Sequence, residues 1–268
     1  MKPSFTSSLV ISTYNWPEAL SLVLKSVNNQ KILPDEIIIA DDGSSDETKD
    51  VIEMFKGKLK SPLIHVWHKD EGFRKSVILN KAIAIAKGDY IIQADGDCIL
   101  HPLFVKDHLS LAEASVYLYG SRVNIQKHYL KTLFENKKIR FGVFSKGIKK
   151  RTRTIRIPLL SFLYKKSTKF SKKYRGCNTS FFRKDFIAVN GYNEDFKGWG
   201  REDSELALRL HNFGIKARRL RYKGILYHIY HNEKSKDRLE INNEIEQNTI
   251  TNKVTWCKNG IESYLNEE

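Results

Sequence analysis

Through its first 110 residues the chain alternates short apolar runs with helix-periodic stretches, a rhythm that few architectures accept. SSLVIST (7–13) is rich in β-formers, and WPEALSLVLKSVNN (16–29) follows with helical spacing, Asn15 as its expected N-cap and Pro17 in its first turn. EIIIA (36–40), apolar from Ile37 onward, reads as a buried parallel strand and breaks into DDGSSDETKDVIEMF, a polar turn leading into a capped helix. LIHVWH (63–68), a helix over 74–87 and DYIIQA (89–94) repeat the unit. Strand and helix alternating at this interval predict an α/β fold, a doubly wound, mainly parallel sheet covered by helices on both faces. In such sheets ligands lie beyond the carboxyl ends of the strands. That rule singles out residues 12–15, 40–43 and 94–98, three polar stretches of which two are acidic.

The second half is less regular. SVYLYGSRVNI (115–125) reads as one strand, and NTSFFRKDFIAVNGY (178–192) as a strand followed by a short helix. EDSELALRLHNFG (202–214) has the apolar spacing of a helix at Leu206, Ala207, Leu210 and Phe213 and stops at Gly214. Past residue 236 the chain reads as a polar helix to which the sequence assigns no function. No repeat and no Ser/Gly linker interrupts it, which favours a single domain with an added C-terminal region.

Residues 137–175 hold 15 of the 46 Lys and Arg and no acid. The rest of the chain carries equal numbers of acids and bases, so this stretch supplies the whole net charge of +15. Such a surface suits an anionic membrane, a phosphorylated substrate or nucleic acid. Its cations alternate with Ile155, Ile157, Leu159, Leu160, Phe162, Leu163 and Tyr164, the pattern of an element lying on a membrane; nucleic acid is the weaker reading. No apolar run approaches the ~20 residues needed to span a bilayer, and the N-terminus lacks the apolar core of a signal peptide. Three scattered cysteines form neither a disulfide framework nor a zinc cluster, so a cytoplasmic setting is expected.

The chemistry is written in carboxylates. IIQADGDCIL (91–100) sets Asp95 and Asp97 just past a buried strand, where a hard divalent cation can join a carboxylate to a diphosphate. Taken alone, the same residues make an ordinary Asp-Gly turn. Asp41 and Asp42, at the end of another strand, can accept hydrogen bonds from a base N–H or a ribose hydroxyl. Neither G-x-G-x-x-G nor G-x-x-x-x-G-K-[ST] occurs, which disfavours dinucleotide oxidoreductases and P-loop ATPases. GWGREDSE (198–205) then gathers three acids beside Trp199 at the start of a helix. Helix-dipole chemistry explains acids there, and so does a catalytic base beside a sugar-stacking ring.

Taken in order, VISTYNW, IIIADDGSSDET, FRKSVILNKAIAIAKGDYIIQADGDC and GYNEDFKGWGREDSELALRL resemble the family 2 glycosyltransferases of the GT-A fold. The GWGREDSE block is also similar to the C-terminal motif of β-1,4-galactosyltransferases and chondroitin-polymerase-type enzymes. The resemblance covers residues 6–110 and 176–232 and implies a nucleotide-sugar-binding half (1–110). It further implies an acceptor-binding and catalytic half (111–235) containing the basic stretch, and a helical tail (236–268). By the same resemblance, Ser12 and Tyr14 line a uridine pocket, Asp42 reads the uracil N–H, Arg74 lies near the nucleotide and Asn80 is structural. Asp95 and Asp97 match the Asp-x-Asp motif, and Asp97, His228 and His231 are the implied ligands of Mn2+ (or Mg2+). The galactosyltransferase pattern has a thioether where His228 stands and a glycine where Arg201 stands. Asp203 matches the base, while Trp199, Gly200 and Glu202 match acceptor-binding positions.

The expected activity is that of an inverting, metal-dependent hexosyltransferase. It would move a sugar of galactose, GlcNAc or GalNAc type from UDP to a saccharide of a surface polysaccharide or lipid-linked oligosaccharide. The expected location is the inner membrane face, contacted peripherally through 137–175. Two other classes compete. A nucleotidyltransferase also uses an Asp-x-Asp turn on an α/β sheet but needs a phosphate loop that ISTYNWPEA does not supply. A non-catalytic basic module would need no metal and no donor.

Overall fold

Ser7–Thr13 (β1), Glu36–Asp41 (β2), Leu63–Trp67 (β3) and Tyr90–Asp95 (β4) pair in parallel. They belong to a computed structural model that describes residues 3–232 and 235–265. Pro17–Asn28 (α1), Asp46–Lys56 (α2) and Lys75–Ala84 (α3) are the crossovers between them. Strand periodicity sorts the apolar residues by face. Leu9, Ile11, Ile37, Ile39 and Ile92 pack with Leu20, Leu24, Ile52 and Phe55 of α1 and α2. Val10, Ile38, Ala40 and Ile91 pack on the other side with Ile78, Leu79 and Ala82 of α3. Both faces are covered, which is why LVI (9–11) and III (37–39) run apolar without alternation. Each fully buried Ile or Leu contributes roughly 1.5–3 kcal/mol.

Further along come β5 (Cys98–Leu100), α4 (Phe104–Leu109), β6 (Val116–Tyr119), β7 (Arg122–Ile125), α5 (Leu130–Glu135), β8 (Ile148–Lys149) and β9 (Asn178–Phe182). The chain continues with α6 (Arg183–Ala188), α7 (Glu202–Asn212), β10 (Lys216–Arg219), β11 (Leu226–His228), α8 (Leu239–Thr251) and α9 (Glu262–Leu265). The main sheet has the order β10-β6-β9-β4-β1-β2-β3, with β9 antiparallel to both its neighbours. A second, smaller sheet has the order β5-β11-β7-β8 and lies at the carboxyl-end side of β4, from which β5 continues. The result is a mixed, mainly parallel sheet flanked by helices, as the alternation predicts.

Three local expectations change. Residues 115–125 form two strands in two different sheets, because the chain breaks at Gly120. A Cβ there would stand 2.3 Å from Asn178 Nδ2, so only glycine lets the Asn178 side chain pass between the sheets. Asn15 does not cap α1; Trp16 holds the cap position without a side-chain bond. With φ of 44°, Asn15 instead ties the exit of β1 to the turn after β2, accepting from the Ser45 N–H and donating its own N–H to Ser44 Oγ. The basic stretch forms β8 and two 3-10 turns, Arg151–Thr154 and Pro158–Leu163, with no α-helix inside it. Leu159, Phe162 and Leu163 stand exposed there at 77%, 62% and 72%. Among the described residues no helix is long and apolar enough to cross a membrane.

Candidate active site

The ends of β1, β2 and β3 supply one wall. Ser12 is buried and donates its hydroxyl to Asp95 Oδ1 at 2.8 Å. Tyr14 is 42% exposed, so it is no core residue; its hydroxyl reaches across to Asp70 at 2.8 Å. Asp42 is buried, with one carboxylate oxygen 2.8 Å from His68 Nε2 and the other accepting the Arg74 N–H at 3.0 Å. The Arg74 guanidinium turns back to the Lys69 carbonyl and Glu71. Asn80 is wholly buried and clasps the main chain of Tyr192 from both sides, which fixes α3 against the segment leading to α7.

The second wall follows from register. β5 begins one residue after Asp97, and Cys98 pairs with His228 across the antiparallel β5–β11 ladder. The Ile229 N–H donates to the Asp97 carbonyl at 2.9 Å and locks the acidic turn to the end of β11. Asp97 Oδ2 consequently lies 3.5 Å from His228 Nε2 and 3.4 Å from His231 Nε2. The three donor atoms fall within 4.8 Å of one another, and this is the group of metal-ligating side chains found among the described residues. Neighbouring donors around a first-row divalent ion stand about 3 Å apart, so the set fits one. The tautomers fit as well. His231 Nδ1 lies 2.6 Å from the Asn232 carbonyl, which only accepts, so Nδ1 carries the proton and Nε2 keeps its lone pair toward Asp97. Burial holds the His228 imidazole below its ordinary range, although Asp97 pulls the other way, and the ring stays neutral as a ligand must be.

Asp203 stands at the start of α7, near enough to Lys75 and Asp95 to feel their charges. Its Oδ2 accepts the Gly176 N–H at 3.0 Å, and its Oδ1 is buried with no partner. Gly176 must be glycine, since a Cβ there would lie 2.0 Å from Asp203 Oδ1. The main chain of Gly176 is held in turn. Gln93, buried on β4, donates to its carbonyl at 3.2 Å and accepts from the Tyr192 hydroxyl at 3.0 Å. Burial raises the Asp203 carboxyl above the usual aspartate range, with Lys75 opposing it. Glu202, buried beside it, is pushed up to about 7 by burial and by the Asp203 charge, and accepts the Gly200 N–H at 3.0 Å. Trp199 offers a ring that is 41% exposed. Arg201 does not point into the site; its Nε donates to Asn243 at 2.6 Å on α8.

Sequence reasoning passed over Lys75 in favour of its neighbour Arg74. The Lys75 ammonium binds Asp95 Oδ1 at 2.9 Å. Burial disfavours its charge, and the carboxylates of Asp95, Asp203 and Glu202 more than offset that, holding it well above the ordinary lysine value. Lys75 therefore joins the two acidic groups electrostatically. A signal was present: 75, 78, 79 and 82 share one helical face, and a cation heading an apolar stripe is out of place on a solvated surface. Gln93 and Gly176 left no comparable mark, because their roles depend on neighbours distant in sequence. Arg122, half-buried on β7 beside β11, adds a positive charge felt by Asp97 and Asp95.

Two family descriptions match the chain. Glycosyl transferase family 2 matches residues 8–188, and the N-terminal domain of galactosyltransferase matches residues 158–232. Validoxylamine A glucosyltransferase of Streptomyces hygroscopicus subsp. limoneus is 29% identical over 78% of this chain and 48% of its own. The chondroitin synthase of Escherichia coli is 29% identical over 77% of this chain and 32% of its own. The chain thus spans half or less of the length of these curated relatives. Among solved structures, Staphylococcus aureus TarS 1–349 in complex with UDP superposes with a TM-score of 0.60 at 16% identity, over 92% of this chain and 66% of that one. GalNAc-T7 with UDP, GalNAc and Mn2+ gives a TM-score of 0.62 at 18% identity, over 85% and 44%. At these identities the likeness is one of fold.

Proposed function

The chain belongs to glycosyl transferase family 2, and on that premise we propose that it is an inverting hexosyltransferase using a UDP-sugar of galactose, GlcNAc or GalNAc type. The observation that carries this is the buried Oδ1 of Asp203, which has no hydrogen-bond partner, in a protein that also gathers Asp97, His228 and His231 at one point. The acceptor is a saccharide of a surface polysaccharide or lipid-linked oligosaccharide, in keeping with relatives named for chondroitin and hyaluronan synthesis.

Asp203 takes the proton of the acceptor hydroxyl as that oxygen bonds to the anomeric carbon and the bond from this carbon to the UDP oxygen breaks. The Gly176 N–H fixes one carboxylate oxygen and leaves the other for the proton. Burial makes the carboxylate more basic, and the Lys75 charge opposes that rise. Asp97, His228 and His231 would hold Mn2+ or Mg2+, which supplies charge neutralisation for the departing diphosphate. Ser12 and Lys75 aim Asp95 at the donor, Asp42 reads the base with Tyr14 and Arg74 at the rim of its pocket, and Trp199 and Glu202 receive the acceptor sugar beside Gly200.

Cations of residues 137–175 lie beside Leu159, Phe162 and Leu163, next to a cavity of about 630 Å³ lined by Phe162, Lys165, Lys166, Lys169, Lys216 and Arg218. That surface suits peripheral contact with the anionic inner face of a membrane.

Release of UDP from a panel of UDP-sugars, with and without Mn2+, tests the activity. Asp203→Asn should abolish transfer while UDP and Mn2+ still bind as in the wild type. Unchanged turnover in that variant removes Asp203 from the mechanism, and full turnover in EDTA removes the metal.

A further inference from the structure

The tail that the sequence left without a role reaches the catalytic loop. Both matched family segments stop before it, the second at residue 232, whereas α8 begins at Leu239. Asn242, buried to 1% exposure, donates through Nδ2 to the Gly200 carbonyl at 2.9 Å and to the Lys197 carbonyl at 3.3 Å. Arg201 donates to Asn243 Oδ1 at 2.6 Å and pairs with Glu246 at 3.5 Å, and Glu246 also accepts from the Ser204 hydroxyl. One turn further, Thr249 donates to Glu205 on α7 at 3.1 Å.

These contacts fall on an unusual piece of backbone. Gly198, Gly200 and Arg201 have φ of 72°, 113° and 78°, and an arginine in the left-handed region does not persist there without support. All the supporting side chains named above come from α8, some 40 residues later in the chain. Just beyond Arg201 the chain enters α7 at Glu202 and Asp203, so the direction of the first helical turn follows from how this loop is held.

We propose that α8 is the positioning element of the catalytic loop. Asn242 through two backbone carbonyls, and Asn243 and Glu246 through Arg201, fix the conformation in which Trp199, Glu202 and Asp203 receive the acceptor. The proposal rests on the transferase reading for its kinetic arm and on the loop geometry alone for its exchange arm.

Two measurements on the full chain test it. In Asn242→Ala, amide hydrogen exchange over residues 198–203 should quicken by about tenfold or more. Turnover should fall in kcat by roughly tenfold to a hundredfold, while UDP binds in the presence of Mn2+ with wild-type affinity by calorimetry. Glu246→Ala, at a less enclosed position, should move the same quantities in the same direction, and it decides the question should Asn242→Ala not fold. Gln247→Ala, on the exposed face of α8, should leave both unchanged. Wild-type exchange in the folded variants overturns the proposal, and so does quickened exchange with unchanged kcat. A wild-type protein that turns over no UDP-sugar overturns the transferase reading instead, and the exchange arm still decides whether α8 holds the loop.

Discussion

Lys75 heads α3 in line with Ile78, Leu79 and Ala82, so its aliphatic stem follows the buried face and its ammonium arrives at Asp95. The same charge opposes the burial that lifts Asp203. A base must be ionised to work, so the acid limb of kcat against pH follows the Asp203 carboxyl. Removing the Lys75 charge takes away the largest influence opposing burial, leaving the Gly176 N–H and Arg175, and raises that carboxyl further. Lys75→Met should therefore move the acid limb to higher pH and lower kcat at neutral pH, and Lys75→Arg should restore most of the shift. A pH profile of Lys75→Met with an unmoved acid limb would falsify the coupling. Asp97, His228, His231 and Asp203 stood out as candidates only through several motifs resembling one family in order, since a lone Asp-x-Asp turn or a lone pair of histidines has commoner uses. Lys75 did not, because a lysine at a helix start resembles ordinary solvated surface until its face is traced.

Element by element, legibility tracked how apolar the buried face is. β1, β2, β4 and α7 announce themselves through continuous or periodic apolar residues. The inward side of α8 instead docks mainly through polar residues, Asn242, Glu246 and Thr249, with Leu239 and Ile245 only half-buried, so the helix was visible and its docking was not. The division of 115–125 into β6 and β7 was hidden for another reason: it depends on Asn178, which arrives more than fifty residues later to bond the Ser121 and Gly224 carbonyls. Gly120→Ala would drive a methyl group into that side chain. It should cost about 1–3 kcal/mol, read as a lower urea midpoint. Mn2+ binding should weaken with it, since β7 and β11 together carry His228. Gly57→Ala is the control: nothing lies within 4 Å of its added methyl and its φ is −80°, so stability should hold.

Across the whole molecule the charge is as unevenly placed as the chemistry. Acids cluster at the strand ends and the head of α7, whereas the entire net charge of +15 comes from residues 137–175. Phe162, at 62% exposure, lines the same cavity as Lys165, Lys166 and Lys169, so one surface offers both apolar and cationic groups. A bilayer with anionic headgroups satisfies both, the apolar side chains entering the headgroup region while the ammonium groups stay at its surface. Each such lysine is worth about 1 kcal/mol near an anionic leaflet. Replacing Lys165, Lys166 and Lys169 together by Gln should thus weaken binding to phosphatidylserine-containing vesicles by about two orders of magnitude. Turnover of a UDP-sugar in solution should be unaffected, because the three lysines line another surface, around Phe162 and Arg218. Sedimentation with vesicles reads the effect, and its dependence on salt separates the charge contribution from the apolar one. Equal binding to pure phosphatidylcholine, or no loss in the triple variant, would show that these cations do not serve a membrane, and an acceptor closing over the site would then be the use left for them.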